Sequence, residues 1–160
     1  MTKYSKIFTF LLRLLALAGT VAAVVVMVTS HDSAKVLNLT FTAKYSNTPA
    51  FKYFVIVEAI AGAYSLITLF LSSKNLFRRL VIILDMVVTV LLSSCISAAL
   101  AIADVGKKGN NHAGWLPVCG QVPKFCDHVT GSLAAGFVAA VLYFLLLLYS
   151  LYNVLDPLLL

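Results

Sequence analysis

Four long runs of apolar residues dominate the chain, and most of its polar residues lie between them. The runs are Ile7–Val28, Tyr53–Leu71, Leu80–Ala103 and Val129–Leu151. Each run is close to or above the roughly 20 residues that cross a hydrocarbon core of about 30 Å as a helix. Backbone polar groups inside a bilayer must be satisfied within the segment, so the runs are predicted to be helices. The pattern therefore predicts an all-α membrane protein, a four-transmembrane-helix bundle forming one domain over residues 1–160.

The composition excludes a soluble domain. Hydrophobic residues make up 61% of the 160 positions and charged residues 11%, whereas a soluble domain has about 25% charged residues. The first run is too long for the apolar part of a signal peptide and contains Arg13. The net charge of +6 is divided between the two membrane faces, which favours contact with lipid headgroups and not with nucleic acid.

The distribution of lysine and arginine does not by itself orient the bundle. The N-terminus and the segment 72–79 hold five, and the long loops 29–52 and 104–128 hold six. Three of the five lie within that eight-residue segment next to the membrane, where the positive-inside bias is strongest. Basic charge therefore favours cytoplasmic termini only weakly. The five on the side of the termini are Lys3, Lys6, Lys74, Arg78 and Arg79. The six in the long loops are Lys35, Lys44, Lys52, Lys107, Lys108 and Lys124.

Two features of the long loops favour an exterior, oxidising location for them. Asn38-Leu39-Thr40 is an N-glycosylation sequon in the first loop; the alternative is a chance occurrence. Cys119 and Cys126 share the second loop, in a stretch rich in Gly and Pro that can bend back on itself. A disulfide between them suits an exterior loop, and the alternative is a pair of reduced thiols. Together with the basic segment, these features predict that both termini are cytoplasmic.

Two ionisable residues lie at matching depth in the membrane. Arg13 is six residues into the first run and Asp85 five into the third, which places them about 9 Å and about 7.5 Å deep on the same side. Steps of three and four residues connect Arg13 to Thr9, Ala16 and Thr20, and Asp85 to Thr89, Ser93 and Ser97. Such small or hydroxyl side chains are typical of helix–helix contacts. We predict a structural ion pair, bidentate if geometry allows; the alternative is a snorkelling Arg13 and a protonated Asp85.

Glu58 does not belong to that pair. The second run points the other way, so Glu58 lies about 7.5 Å below the exterior surface. The candidates for its state are a contact with Lys52, a contact with another loop donor, and a protonated carboxyl. A role in a pore or proton relay is the alternative function for this residue.

The fourth run begins with small residues and continues with bulky ones. Gly131, Ala135 and Ala139 repeat at steps of four, as do Ser132, Gly136 and Ala140, a pattern that brings helix backbones close together. The residues from Tyr143 to Leu151 are bulky and are predicted to face lipid.

No catalytic motif is apparent in the sequence. His31, His112 and His128 lack Cys or carboxylate neighbours at metal-ligand spacing. There is no Gly-rich phosphate loop, nucleophile elbow or Cys-His motif, and Cys95 in the third run is interpreted as a small apolar filler. The sequence thus predicts a protein that is not an enzyme and has no cofactor or metal.

The loops give the chain a family resemblance. The first long loop reads FTAKYSNTPAFKYF from Phe41 to Phe54, followed by VEAIAGAYS from Val57. The second contains Trp115-Leu-Pro-Val-Cys119 and Phe125-Cys126. With Arg13 in the first run and Asp85 in the third, the sequence resembles the plant CASP-like family, relatives of the Casparian strip membrane domain proteins, and its first subgroup above all.

This resemblance implies a plasma-membrane protein of four helices, similar to the MARVEL type, that forms homo- and heteromers. The family's intramembrane Arg and Asp fall on Arg13 and Asp85, and its second-loop cysteines on Cys119 and Cys126. In the founding members such assemblies organise a membrane domain and recruit wall-modifying enzymes. The first loop here differs from that of strip-forming members, and the N-terminal segment has only about six residues. The leading hypothesis is a self-associating membrane scaffold that recruits cell-wall proteins; a channel or transporter subunit using Glu58 and Asp85 is the alternative.

Overall fold

Four long helices form the body of the protein. The computed structural model describes residues 3–36, 39–70 and 75–155. The helices are α1 (Lys3–Thr29), α2 (Pro49–Phe70), α3 (Asn75–Lys108) and α4 (Pro123–Leu155). Each contains a stretch long and apolar enough to cross a membrane. The four-helix membrane fold predicted from the apolar runs is therefore confirmed.

The helices extend beyond the predicted runs, so the two loops are shorter than expected. α2 begins at Pro49, where the fixed φ of proline suits the first turn of a helix. α3 continues to Lys108, and its last turns carry an ion pair of 2.7 Å between Lys108 and Asp104. Hydropathy locates the part of a helix that lies in lipid, whereas the hydrogen-bonded helix continues into water. The predicted end of the second run at Leu71 lies outside the described residues.

The helices are arranged as a square in chain order. α1 packs against α2 and α4, and α3 packs against the same two helices, so α1 and α3 face each other across the diagonal. Small or tightly packed side chains fill the centre, among them Ala16, Ala23, Leu92 and Ala99. Large apolar side chains such as Leu15 and Val90 are more than half exposed. A bundle with bulky apolar groups outside is suited to lipid and not to water.

The segment between α1 and α2 contains a β-hairpin that was not predicted. β1 (His31–Val36) pairs in antiparallel register with β2 (Leu39–Lys44), so that His31 lies opposite Lys44. β2 reads LTFTAK, and this alternation of apolar and hydroxyl residues is the period-two signal of a strand. A short 3₁₀ turn, Tyr45–Asn47, then leads into α2. We call the end of the bundle that carries this hairpin the hairpin end, and the opposite one the termini end.

Candidate functional site: a polar cluster inside the bundle

The structure brings Arg13 and Asp85 together across the diagonal of the bundle. Nη2 of Arg13 lies 2.7 Å from Oδ2 of Asp85, and both residues are buried, at 5% and 0% exposure. This geometry differs from the snorkelling alternative, in which the guanidinium would extend toward the membrane surface. A buried charge is tolerated when it is paired and hydrogen-bonded, and each residue here provides the partner for the other.

The ion pair is not bidentate, because two side chains of α2 take the remaining positions. Nη1 of Arg13 donates to Oγ1 of Thr68 at 3.2 Å, and the Tyr64 hydroxyl donates to Oδ1 of Asp85 at 2.8 Å. The guanidinium carbon also lies 5.7 Å from the centre of the Tyr64 ring, within the range of a cation–π contact. Both oxygens of Asp85 are thus occupied, and three helices meet at this cluster.

Tyr143 connects the fourth helix to the cluster. The prediction that the segment from Tyr143 to Leu151 faces lipid is wrong for Tyr143 and Leu146, which are buried, whereas Phe144 and Leu148 are exposed. The Tyr143 side chain is fully buried and stacks on Tyr64 with ring centres 6.5 Å apart. Its hydroxyl donates to the Ala61 carbonyl at 2.6 Å and lies 2.5 Å from the Ser65 hydroxyl. Tyrosine is common near membrane interfaces, but here its hydroxyl is satisfied inside the bundle and its ring fills the core.

The hydroxyl residues near Asp85 are placed differently from the prediction. Thr89 is buried and donates to the Asp85 carbonyl at 2.7 Å, whereas Ser93 and Ser97 are exposed on the outer surface. At 100° per residue, steps of four drift by about 40° each. Eight and twelve residues therefore turn the side chain about 80° and about 120° away from Asp85. On α1, Ala16 and Thr20 are fully buried as predicted.

Glu58 lies apart from the cluster and is fully buried in α2. Neither carboxylate oxygen has a hydrogen-bond partner among the described residues, so two of the three candidates for its state, a contact with Lys52 and a contact with another loop donor, are not formed there. Its neighbour on α4 is Gly136, where an added Cβ would lie 2.5 Å from Oε1 of Glu58. Glu58 is also one of the residues that line a groove of about 310 Å³ between α1 and α2, although its carboxyl lies against Gly136 inside the bundle.

Small residues allow the close helix contacts around these groups. An added Cβ at Gly19 of α1 would lie 3.1 Å from the Ala139 side chain, and one at Gly62 would lie 3.1 Å from Oγ1 of Thr20. Ser132 donates to the Ala23 carbonyl at 2.6 Å, which fixes α4 on α1. Gly131, by contrast, has nothing within 4 Å of such a Cβ, so only part of the predicted small-residue pattern lies at a helix contact.

At the hairpin end, Cys119 and Cys126 form a disulfide with Cα atoms 5.7 Å apart. The loop also bonds back to α3, since the Cys119 amide donates to the Gly106 carbonyl at 3.2 Å. Gly109 has a φ of 71°, and an added Cβ there would lie 2.6 Å from the Trp115 carbonyl oxygen, so a larger residue does not fit. Asn38, the predicted glycosylation site, lies outside the described residues.

Arg13 and Asp85 were found in the sequence because a charge inside an apolar run is conspicuous. Tyr64, Thr68 and Tyr143 were missed as members of the cluster. A signal for two of them exists, since Tyr64, Ser65 and Thr68 form a polar group at helical spacing within an apolar run. Tyr143 has no such neighbours, and only the packing of the helices identifies its position.

Comparison with known proteins gives the family. A family model described as the Casparian strip membrane protein domain matches residues 2–142. The chain belongs to the CASP-like family. The similar proteins include a CASP-like protein 1C2 of Populus trichocarpa, 73% identical over 157 residues, with 98% of this chain and 96% of that protein covered.

Other CASP-like relatives support the same subgroup. A CASP-like protein 1C1 of Vitis vinifera is 64% identical over 98% of this chain and 99% of its own length. A CASP-like protein 1C1 of Arabidopsis thaliana is 58% identical over 93% of this chain and 91% of its own length. No solved structure matches the chain. The family predicted from the sequence, with its first subgroup, is confirmed.

Proposed function

We propose that this CASP-like protein is a non-enzymatic scaffold of the plasma membrane. It self-associates into homomers, and into heteromers with related four-span proteins, to organise a membrane domain. In this proposal both termini face the cytoplasm, and the hairpin end faces the cell wall and recruits wall-modifying proteins. The observation that carries the proposal is the cluster around Arg13 and Asp85, which uses buried polar groups to connect the four helices to one another.

The cluster supports a structural role because its strongest donors and acceptors are already used inside the bundle. Arg13 contacts α2 and α3, and Tyr143 contacts α2. Groups committed in this way are not available to bind and release a substrate. A bundle held rigid by such contacts presents constant outer faces, which is what a repeating membrane assembly requires.

The second loop provides a surface for exterior partners. Trp115 and Leu116 are 59% and 80% exposed, and the loop that carries them is tied by the Cys119–Cys126 disulfide and by hydrogen bonds to α3. Exposed apolar side chains on a rigid support are typical of interaction sites. Proximity labelling from this loop in intact plant cells should recover wall-associated proteins, and Trp115→Ala with Leu116→Ala should reduce their yield. Equal yields from the wild type and the double variant would contradict recruitment through this loop.

The sidedness is testable with the cysteines. After mild reduction of intact cells, a membrane-impermeant maleimide should label Cys119 and Cys126, whereas Cys95 is buried inside the membrane. Labelling only after the cells are opened would place this loop in the cytoplasm and contradict the proposed orientation.

Self-association is tested directly by crosslinking in native membranes. Two copies of the chain with different tags should be captured together, and should also be captured with related four-span proteins. A chain that is found only as a monomer at native expression would contradict the scaffold function.

A channel or transporter subunit is the second candidate function, and the buried, unpartnered Glu58 favours it. Asp85, its proposed relay partner, has both oxygens occupied and lies about 15 Å away along the bundle axis. Purified protein in liposomes separates the two functions. An ion flux that Glu58→Gln abolishes would contradict a function limited to scaffolding.

A further inference from the structure

Glu58 is an unsatisfied buried carboxyl beside an open groove. The groove lies between α1 and α2, holds about 310 Å³ and is lined almost entirely by apolar groups. Its α2 wall runs from Glu58 through the small residues Ala59, Gly62 and Ala63 to Leu66. Glu58 therefore stands at the end of the groove nearer the hairpin, and an uncompensated carboxyl in an apolar medium is costly.

The outer face of α3 carries complementary groups. In the half of α3 toward the hairpin end, a group of small side chains is exposed beside Leu100 and Ile102, whereas large side chains such as Ile83 form the outer face of the other half. The Ser94 hydroxyl accepts a hydrogen bond from Tyr53 at 3.4 Å and donates none within the described part of the chain. We call this surface the serine face; it consists of Ser93, Ser94, Ser97, Ala98 and Ala101.

The groove and the serine face lie at the same depth. The Arg13 cluster sets a common level, because Thr68 of α2 and Asp85 of α3 both bond to Arg13. Glu58 is ten residues from Thr68 toward the hairpin end, or about 15 Å. Ser94 is nine residues from Asp85 in the same direction, or about 13.5 Å.

We propose that the serine face of one copy docks in the α1–α2 groove of a second copy, with the Ser94 hydroxyl hydrogen-bonded to Glu58. Small residues on both surfaces let the backbones approach closely, as is common between membrane helices. In the single chain Glu58 is 0% exposed, so no water-sized group reaches it. Docking therefore includes a rotation of the Glu58 side chain toward the groove.

This contact repeats from copy to copy. The groove lies between α1 and α2, and the serine face lies on α3 across the diagonal from α1, so one copy offers both surfaces at once. A contact between two different patches is heterologous and produces a ring or an extended row, not a closed two-fold dimer. The inference rests on the self-association in the proposed function and names the surfaces that carry it.

Cysteine crosslinking of the full chain in native membranes tests this docking. Ala59→Cys in one tagged copy and Ser94→Cys in another should form a mixed disulfide under mild oxidation. The control combines Ala59→Cys with Val138→Cys, since Val138 is 55% exposed on α4 at a similar depth. The first pair should crosslink several-fold more than the control pair. Equal or lower crosslinking would overturn the docking.

Blocking variants provide a second measurement, beginning with an exposed position of the groove. Ala63 is exposed in the groove, so Ala63→Leu should fill it and reduce the oligomer fraction several-fold. Ala134→Leu on the exposed face of α4 is the matched control and should leave the oligomer unchanged. Glu58→Leu should also reduce the oligomer, whereas Glu58→Gln, which keeps hydrogen-bonding groups, should retain most of it.

The outcomes separate this inference from the proposed function. Oligomers that persist in Ala63→Leu, without the Ala59–Ser94 crosslink, overturn the docking and leave the scaffold function standing. A wild-type chain without any oligomer overturns both. Loss of a bound lipid from Ala63→Leu in native mass spectrometry, with the oligomer unchanged, would assign the groove to a lipid and overturn docking of a second copy.

Discussion

Gly136 of α4 and the side chain of Glu58 on α2 pack directly against each other across the centre of the bundle. A Cβ at residue 136 would lie 2.5 Å from Oε1 of Glu58 and 2.8 Å from Cζ of Phe54. Phe54 and Glu58 are both fully buried, so an added Cβ would displace both side chains from their present contacts. The packing of these two side chains against α4 therefore depends on the absence of a side chain at residue 136.

Gly136→Ala should destabilise the bundle by about 1–3 kcal/mol, because overpacking forces side chains and backbone to shift. Gly131→Ala, in the same helix, is the control. An added Cβ there meets nothing within 4 Å, and replacing a helical glycine by alanine gains about 0.5–1 kcal/mol. The measurement is the free energy of unfolding in mild detergent titrated with a denaturing one. Equal effects of the two variants would show that the α2–α4 contact is looser than described.

Tyr64→Phe should weaken the bundle more than Tyr143→Phe. Tyr64 donates to a carboxylate oxygen of Asp85, and hydrogen bonds to charged groups contribute about 1.5–3 kcal/mol. Tyr143 donates to a neutral carbonyl, for which about 1 kcal/mol is expected. Tyr152→Phe, at a side chain that is 65% exposed, should change the free energy of unfolding little. The reverse order of the first two variants would contradict the assigned roles.

The disulfide should stabilise the hairpin end. Its cysteines are separated by 7 positions, and closing so short a loop contributes about 2–3 kcal/mol in the chain-entropy description. Cys119→Ser with Cys126→Ser should therefore lower the thermal stability and expose residues 109–122 to protease. Cys95→Ser is unsuitable as a control because Cys95 is buried. The double alanine variant of Cys119 and Cys126 removes the same bond and should give the same loss, which shows that the effect does not depend on the serine hydroxyls. Unchanged proteolysis would mean that the hydrogen bonds to α3 hold the loop alone.

The sequence was sufficient for the helices and for the Arg13–Asp85 pairing, for physical reasons. A long run of apolar residues in a bilayer forms a helix, because its backbone polar groups must be satisfied within the segment. A charge within that helix needs a partner at the same depth. Depth follows from the rise per residue, so Arg13 and Asp85 could be matched without knowledge of the packing. The serine face could not be assigned in this way, because the drift of a four-residue step moves Ser93 and Ser97 away from the face of Asp85.

The sequence also does not predict the environment of side chains whose contacts depend on how the helices are arranged. Tyr143 lies in the core because it points from α4 toward α2 across the centre of the bundle, and nothing in its own run distinguishes it from a lipid-facing tyrosine. The hairpin of β1 and β2 does not follow from the length of the loop, and its strand alternation is confined to the six residues of β2. Glu58 was recognised as unusual, but its close contact with Gly136 and its place beside the groove required the structure.

Arg13 and Asp85 form the internal lock of the bundle, and an exchange of their charges tests this pairing. Arg13→Asp and Asp85→Arg should each cost about 3–5 kcal/mol, since each leaves a buried charge without its partner. Thr68 and Tyr64 have hydroxyls that can donate or accept, so they can serve either arrangement.

The decisive measurement is the free energy of unfolding of the two single variants and of the double variant in the same detergent titration. The double variant should be more stable than either single variant, which requires a favourable coupling energy larger than the cost of one single variant, about 3–5 kcal/mol. A double variant no more stable than the worse single variant would contradict the lock.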